Sequence, residues 1–102
     1  MDSEWNVMWT KRAQGNYFSI LDYLSENWTQ KEINQFINRV ELVIKTIRRN
    51  PHLFNASTVN KKVRKAFIDK NNSLFYSLNT YERKIVLLTL YDNRQDPKKF
   101  TV

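Results

Sequence analysis

The stretch from Lys62 to Pro97, KVRKAFIDKNNSLFYSLNTYERKIVLLTLYDNRQDP, decides the fold of this chain. Short runs of β-branched and aromatic residues between polar turn residues predict three consecutive strands. The predicted strands are Lys62–Asp69, Leu74–Leu78 and Lys84–Tyr91. The last strand is apolar on both faces, which indicates a position inside a sheet with other elements packed against it.

The residues before this stretch predict one more strand and two helices that cover the sheet. The segment Trp5–Trp9 alternates with the period of a half-buried strand. Apolar residues recur at helical spacing from Lys11 to about Asn27, and the Thr10 hydroxyl is suited to cap that helix. Thr29-Gln30-Lys31-Glu32 is a capping box that opens a second helix, and Asn50-Pro51 ends it.

These elements predict an α+β fold with the order β-α-α-β-β-β. A link of only a residue or two joins the helices, so we expect an antiparallel helical hairpin. Its apolar surface is expected to cover one face of an antiparallel sheet. At 102 residues the chain is long enough for one core, and we expect a single domain over residues 1–102.

The composition excludes several classes of site. There is no cysteine, so neither a disulfide framework nor a cysteine-based zinc site is possible. The single histidine, His52, and the single glycine, Gly15, leave no support for a histidine-based triad or a glycine-rich phosphate loop. No run approaches the roughly 18 apolar residues of a membrane span, and no signal peptide opens the chain. We therefore expect a cytoplasmic protein without a membrane contact, a metal or a cofactor.

The net charge of +7 is concentrated in the second part of the chain. Residues 1–60 hold seven Lys/Arg and six Asp/Glu, a balance of +1, and residues 61–102 hold ten and four, a balance of +6. Clustered positive charge steers anionic partners and suits phosphate contacts. The alternative is a solvated basic edge strand, where lysines discourage aggregation between sheets.

Strand geometry predicts which face of the sheet each potentially functional side chain occupies. Arg64, Ala66 and Ile68 are predicted to share one face of their strand, and Val63, Lys65 and Phe67 the other. Cationic and phenolic side chains on and around the sheet are able to hold phosphates and to stabilise a developing phosphoryl charge. These side chains are Lys62, Arg64, Lys65, Lys70, Tyr76, Tyr91 and Arg94. The same set is equally suited to binding an acidic protein.

The ordered set of these features resembles the RelE/ParE superfamily of toxins from bacterial toxin–antitoxin modules. The resemblance runs from the first strand, Trp5–Trp9, to Lys99 and covers nearly the whole chain. The matching segments are the hairpin end Ile47-Arg48-Arg49-Asn50-Pro51, Val63-Arg64-Lys65, Ser73-Leu74-Phe75-Tyr76, the apolar strand Ile85–Leu90 and Asp92-Asn93-Arg94-Gln95-Asp96-Pro97.

The resemblance implies a growth-inhibiting, plasmid-stabilising toxin with one of two activities. Members similar to RelE are mRNA interferases, metal-independent ribonucleases that act on ribosome-bound mRNA. In that case Arg64 and Arg94 would stabilise the transition state and Tyr91 would be the candidate for proton transfer. Three lysines would position the RNA, namely Lys62, Lys65 and Lys70.

Members similar to ParE poison DNA gyrase without chemistry of their own. Ser73 favours this alternative, because cleaving members usually carry a catalytic arginine at that position. A third option is an inactive relative that binds only its antitoxin. In every case the resemblance implies a cognate antitoxin and a toxin–antitoxin hetero-oligomer. Antitoxins of this family are often acidic, which would suit the positive charge of residues 61–102.

Overall fold

The computed structural model describes residues 5–58 and 60–92. The elements are β1 (Asn6–Trp9), α1 (Lys11–Asn27), α2 (Gln30–Arg49), β2 (Arg64–Phe67), β3 (Asn72–Asn79) and β4 (Lys84–Asp92). This order, β-α-α-β-β-β, confirms the predicted one. The predicted polar tail after Asp92, which includes Arg94, lies outside the described residues.

Both helices begin and end where their local sequence signals predict. The Thr10 hydroxyl accepts a hydrogen bond from the Ala13 N–H at 3.0 Å, which satisfies a free donor of the first turn of α1. At the start of α2 the Thr29 N–H donates to the Glu32 carboxylate at 3.0 Å, as a capping box requires. The helix α2 stops at Arg49, directly before Asn50 and Pro51.

The sheet has the strand order β1-β4-β3-β2 and is mixed. The pairs β2–β3 and β3–β4 are antiparallel, as predicted, but β1 pairs with β4 in the parallel direction. Nothing in the local pattern of β1 specifies its partner, because the two strands are joined only through both helices and two other strands. The prediction of an antiparallel sheet is therefore wrong for β1.

The first turn of the sheet lies two residues earlier in the chain than predicted. The Asp69 carboxylate accepts hydrogen bonds from the N–H groups of Asn71 at 2.8 Å and of Asn72 at 2.9 Å. This side-chain turn shortens β2, which ends at Phe67, and lets β3 begin at Asn72 rather than at Leu74.

The core lies between one face of the sheet and the apolar sides of the two helices. Buried residues from the helices and from three strands form it; they are Ala13, Phe36, Val40, Ile47, Ala66, Leu74, Tyr76, Ile85 and Leu87. We call this side of the sheet the helix face. Side chains of directly paired residues share a face, so Lys65, paired with Phe75, lies on the opposite side, which we call the outer face.

Candidate functional site

The structure places Arg64 on the helix face. It is paired in register with the buried Tyr76, and one guanidinium nitrogen, Nη1, donates to the Phe54 carbonyl oxygen at 2.6 Å. Arg64 therefore fastens the loop that follows α2 to the edge of the sheet. A charged donor in such a bond contributes more to stability than a neutral one.

Lys65 is the one charged residue of β2 on the outer face. Its ammonium group lies 4.8 Å from the ring centroid of Phe67 and 5.8 Å from that of Phe75, within the range of cation–π attraction. These three residues and Leu53 line an open groove of about 470 Å³. Phe67 is 60% exposed there, and it is not among the site residues that the sequence predicts.

Tyr91 also belongs to the outer face. It is paired with Ser73, which is paired in turn with Phe67. Arg64 and Tyr91 therefore lie on opposite faces of the sheet, and Lys70 is exposed at the turn between β2 and β3. Within residues 5–58 and 60–92, the structure does not bring the predicted catalytic residues together in one cluster.

A second groove gathers positive charge beside the turn between β3 and β4. It has a volume of about 530 Å³, and we call it the cationic groove. Its polar lining consists of His52, Lys61, Lys62, Arg64, Ser77 and Thr80, and no carboxylate is among its described lining residues. The groove brings the predicted Lys62 and Arg64 together and adds Lys61 and His52, which are not among the site residues that the sequence predicts. His52 is distant from the two lysines in the sequence, and the path of the loop after α2 brings it beside them.

Tyr76 has a structural role in the core beneath this groove. Burial raises the pKa of its hydroxyl to about 12, although the neighbouring Arg64 guanidinium opposes part of that rise. The hydroxyl is therefore protonated at neutral pH and donates to the Pro51 carbonyl oxygen at 3.0 Å. Tyr76 acts here as a buried hydrogen-bond donor.

The described part of the chain contains no group of three or more His, Cys, Asp or Glu side chains arranged to hold a metal ion. None of the helices in this part of the chain has the length and apolar character needed to cross a membrane.

No protein-family model matches this sequence. No curated protein matches it either. The similarity to known proteins is visible in the three-dimensional structure.

Several solved structures have the same fold. A chain of the chromosomal ParDE toxin–antitoxin system from P. aeruginosa superposes with a TM-score of 0.73 at 12% identity, over 89% of this chain and 98% of that one. A chain of the RelBE2 toxin–antitoxin complex from Mycobacterium tuberculosis gives 0.62 at 13% identity, covering 87% and 98%. YoeB from Staphylococcus aureus, solved as a dimer, gives 0.58 at 16% identity, covering 86% and 95%.

These matches span nearly the full length of each solved chain and include proteins named ParDE, RelBE2 and YoeB. They confirm the architecture that the resemblance of the sequence implied. The chain has the RelE/ParE toxin fold.

Proposed function

We propose that this protein is the toxin of a type II toxin–antitoxin module, neutralised by a cognate antitoxin in the cytoplasm. Two lines of support converge on this role. The ordered sequence features resemble the superfamily, and the fold is similar to chains from toxin–antitoxin systems, two of them solved as toxin–antitoxin complexes. The balance of +6 over residues 61–102 suits an acidic antitoxin segment.

We further propose that the toxin acts by binding its target, as a ParE-like poison of DNA gyrase, and not by cleaving RNA. The observation that carries this proposal is the placement of Arg64. Its guanidinium bonds the Phe54 carbonyl on the helix face, whereas Tyr91 lies on the outer face. A stabilising cation and a proton-transfer group act in one phosphoryl-transfer step only if both reach the same bound phosphate, and their placement on opposite faces of the sheet opposes this.

A RelE-like endoribonuclease is the second candidate, and one observation favours it. Lys65 and Tyr91 share the outer face, and Arg94 follows Tyr91 by three positions in the sequence. In this candidate the resemblance assigns Arg94 to stabilisation of the transition state. Arg94→Ala is therefore the variant that separates the two candidates.

The test is inducible expression in cells that lack the antitoxin, with primer extension on an abundant mRNA. Binding to gyrase predicts growth arrest with intact mRNA, together with trapped gyrase–DNA cleavage complexes. Discrete new 5′ ends that disappear in Arg94→Ala would instead establish ribosome-dependent cleavage and reject the gyrase proposal. Absence of growth arrest by the wild-type chain would reject toxicity itself and leave an antitoxin-binding relative.

The antitoxin is tested separately. The gene adjacent to the one for this chain should encode a small protein that restores growth when both are expressed and that copurifies with this chain. A neighbouring product that neither rescues growth nor binds would contradict the proposed module.

A further inference from the structure

A pocket of about 150 Å³ lies between the helical hairpin and the first turn of the sheet. Its lining includes the apolar side chains of Trp28 and Phe36 and the polar ones of Glu32, Asp69 and Asn72. We call it the Asn72 pocket. It shares no described lining residue with the groove of the outer face or with the cationic groove. A cavity of this size holds a ligand as large as benzene, so a group of roughly six non-hydrogen atoms fits.

The Asn72 side chain contributes a buried acceptor that has no partner. Asn72 is only 5% exposed, and its Nδ2 donates to the Asp69 carboxylate at 3.1 Å. This bond fixes the orientation of the amide, because a carboxylate accepts only from the nitrogen end. The Oδ1 at the other end forms no hydrogen bond among the residues that the structure describes. Since buried polar atoms are normally paired, this wall of the pocket requires a hydrogen-bond donor.

Two carboxylates in the same pocket also have acceptor capacity to spare. Glu32 accepts through Oε1 from the Thr29 N–H at 3.0 Å and from the Thr29 hydroxyl at 2.8 Å, which leaves Oε2 unused within the described ranges. The Asp69 carboxylate accepts from the N–H groups of the turn, and no cation in the described part of the chain pairs with it. The pocket therefore lacks donors and positive charge at both carboxylates.

Arg39 also lines the pocket, yet it pairs with neither carboxylate. Two carboxylates against this one guanidinium give the described lining a balance of −1 in a chain whose net charge is +7. The groove beside α2 has Lys45 and Arg48 against Glu41, a balance of +1, and the cationic groove has no carboxylate in its described lining. The Asn72 pocket has the opposite sign to these two grooves and favours a cationic ligand.

Trp28 provides an aromatic surface for such a cation. The side chain is 46% exposed, and no ring or cation among the described residues contacts its indole. A guanidinium group stacks on an aromatic face and presents several N–H donors in one plane, whereas an ammonium group is compact and strongly hydrated. The separated acceptors of Glu32, Asp69 and Asn72 match the planar set of donors.

We propose that the Asn72 pocket binds an alkylguanidinium group, either that of an arginine side chain in a protein or that of a small free compound. The group stacks on Trp28, donates to the Glu32 and Asp69 carboxylates and satisfies the Asn72 Oδ1. The site goes beyond the proposed toxin function, because it selects a cation and requires neither gyrase, nor RNA, nor the acidic segment proposed for the antitoxin.

The experiment is an NMR titration of the purified, isotope-labelled full-length chain at about 50 mM salt, where charge screening is weak. The signals to follow are the Trp28 indole N–H and the Asn72 side-chain amide. The first probe is agmatine, a free alkylguanidinium, and the second is the tripeptide Gly-Arg-Gly with both ends blocked. The same tripeptide with citrulline, which has the shape of arginine without its charge, and with lysine are the control ligands.

The variants change the charge of the pocket without removing its structural bonds. Glu32→Gln keeps the capping box, because glutamine also serves at that position. Arg39→Gln removes the competing cation from an exposed side chain that has no described partner. Glu41→Gln is the matched control, since Glu41 is an exposed carboxylate on the same helix that does not line the pocket.

The proposal predicts saturable binding of an arginine or agmatine probe with a Kd on the order of 1 mM. Glu32→Gln should weaken this binding at least about threefold, and Glu41→Gln should change it by less than about twofold. Arg39→Gln should tighten it about twofold, because a like charge beside the site is lost. Tighter binding of agmatine identifies a free compound as the ligand, and tighter binding of the peptide identifies a protein side chain; both support the guanidinium assignment.

Four results would overturn the proposal. The absence of saturable shifts up to about 10 mM of either probe would leave water as the partner of Asn72. Equal binding of the citrulline or lysine peptide would show that the pocket does not select a guanidinium. Equal losses in Glu32→Gln and Glu41→Gln would reflect net charge alone. Weaker binding by Arg39→Gln would assign the pocket to a ligand that carries a negative charge. Since this assay contains no cells, its failure is distinguishable from a failure of the toxin proposal.

Discussion

The Tyr76 hydroxyl donates a hydrogen bond to the Pro51 carbonyl oxygen at 3.0 Å, joining the centre of β3 to the loop that follows α2. Tyr76 is fully buried, and its register partner Arg64 bonds the same loop at the Phe54 carbonyl. Two neighbouring side chains on one face therefore hold the loop that forms a wall of both grooves. The shape of each groove depends on this attachment.

Removal of the Tyr76 hydroxyl should destabilise the protein without changing its packing. We expect Tyr76→Phe to lower the free energy of unfolding by about 1–2 kcal/mol, because the buried Pro51 carbonyl loses its donor. Urea denaturation measures this change. Tyr81→Phe is the matched control, since Tyr81 is 96% exposed, and a loss of equal size there would contradict the assignment.

Alkaline pH should weaken the fold through the same residue. Burial raises the pKa of Tyr76 to about 12 in the folded state, from the ordinary tyrosine value of about 10. Its contribution to stability is therefore complete below pH 10 and is lost as the pH rises towards 12, because the unfolded chain releases the proton first. Urea midpoints measured across this range should fall more steeply for the wild type than for Tyr76→Phe. Parallel curves would show that Tyr76 is not responsible.

Replacement of Arg64 is expected to act on stability. Arg64→Ala removes the charged donor of the Phe54 carbonyl, and we expect a loss of about 1–2 kcal/mol in the free energy of unfolding. Lys62→Ala, at an exposed position two residues earlier, should stay within about 0.5 kcal/mol of the wild type. Equal urea midpoints for Arg64→Ala and the wild type would show that this hydrogen bond does not support the loop.

Thr10 connects the start of α1 to the sheet as well as capping the helix. Its hydroxyl accepts from the Ala13 N–H and donates to the Leu87 carbonyl at 2.8 Å. Thr10→Ala should therefore lower the free energy of unfolding by about 1–2 kcal/mol. This is near the upper end of the losses seen when a helix-capping residue is replaced by alanine. Thr10→Ser, which keeps the hydroxyl, should recover most of the loss. A serine variant as weak as the alanine variant would point to the lost methyl group instead.

Gly15 offers a route to a more stable protein. It lies inside α1, and a Cβ atom built there meets no atom within 4 Å. Gly15→Ala should raise the free energy of unfolding by about 0.5–1 kcal/mol, because alanine loses less conformational freedom in a helix. Thermal denaturation measures the gain. Any decrease would mean that the position needs glycine for a reason other than space.

The sequence determined the identity, order and approximate limits of the helices and strands. Capping residues such as Thr10 and Thr29, the stop at Asn50-Pro51 and the apolar periods act over a few residues, so they can be recognised without knowing the fold. Strand alternation also correctly predicted that Arg64 and Lys65 lie on opposite faces of the sheet. The family resemblance followed from the same ordered features.

Only the tertiary structure decided which face of the sheet the helices cover. This placed Arg64 towards the core and apart from Tyr91, and it gathered His52 with Lys61 and Lys62 in one groove. The parallel pairing of β1 with β4 likewise differs from the antiparallel sheet that the sequence predicted. These relationships join residues that are distant in the chain, and they depend on strand partners and loop packing that no local pattern encodes.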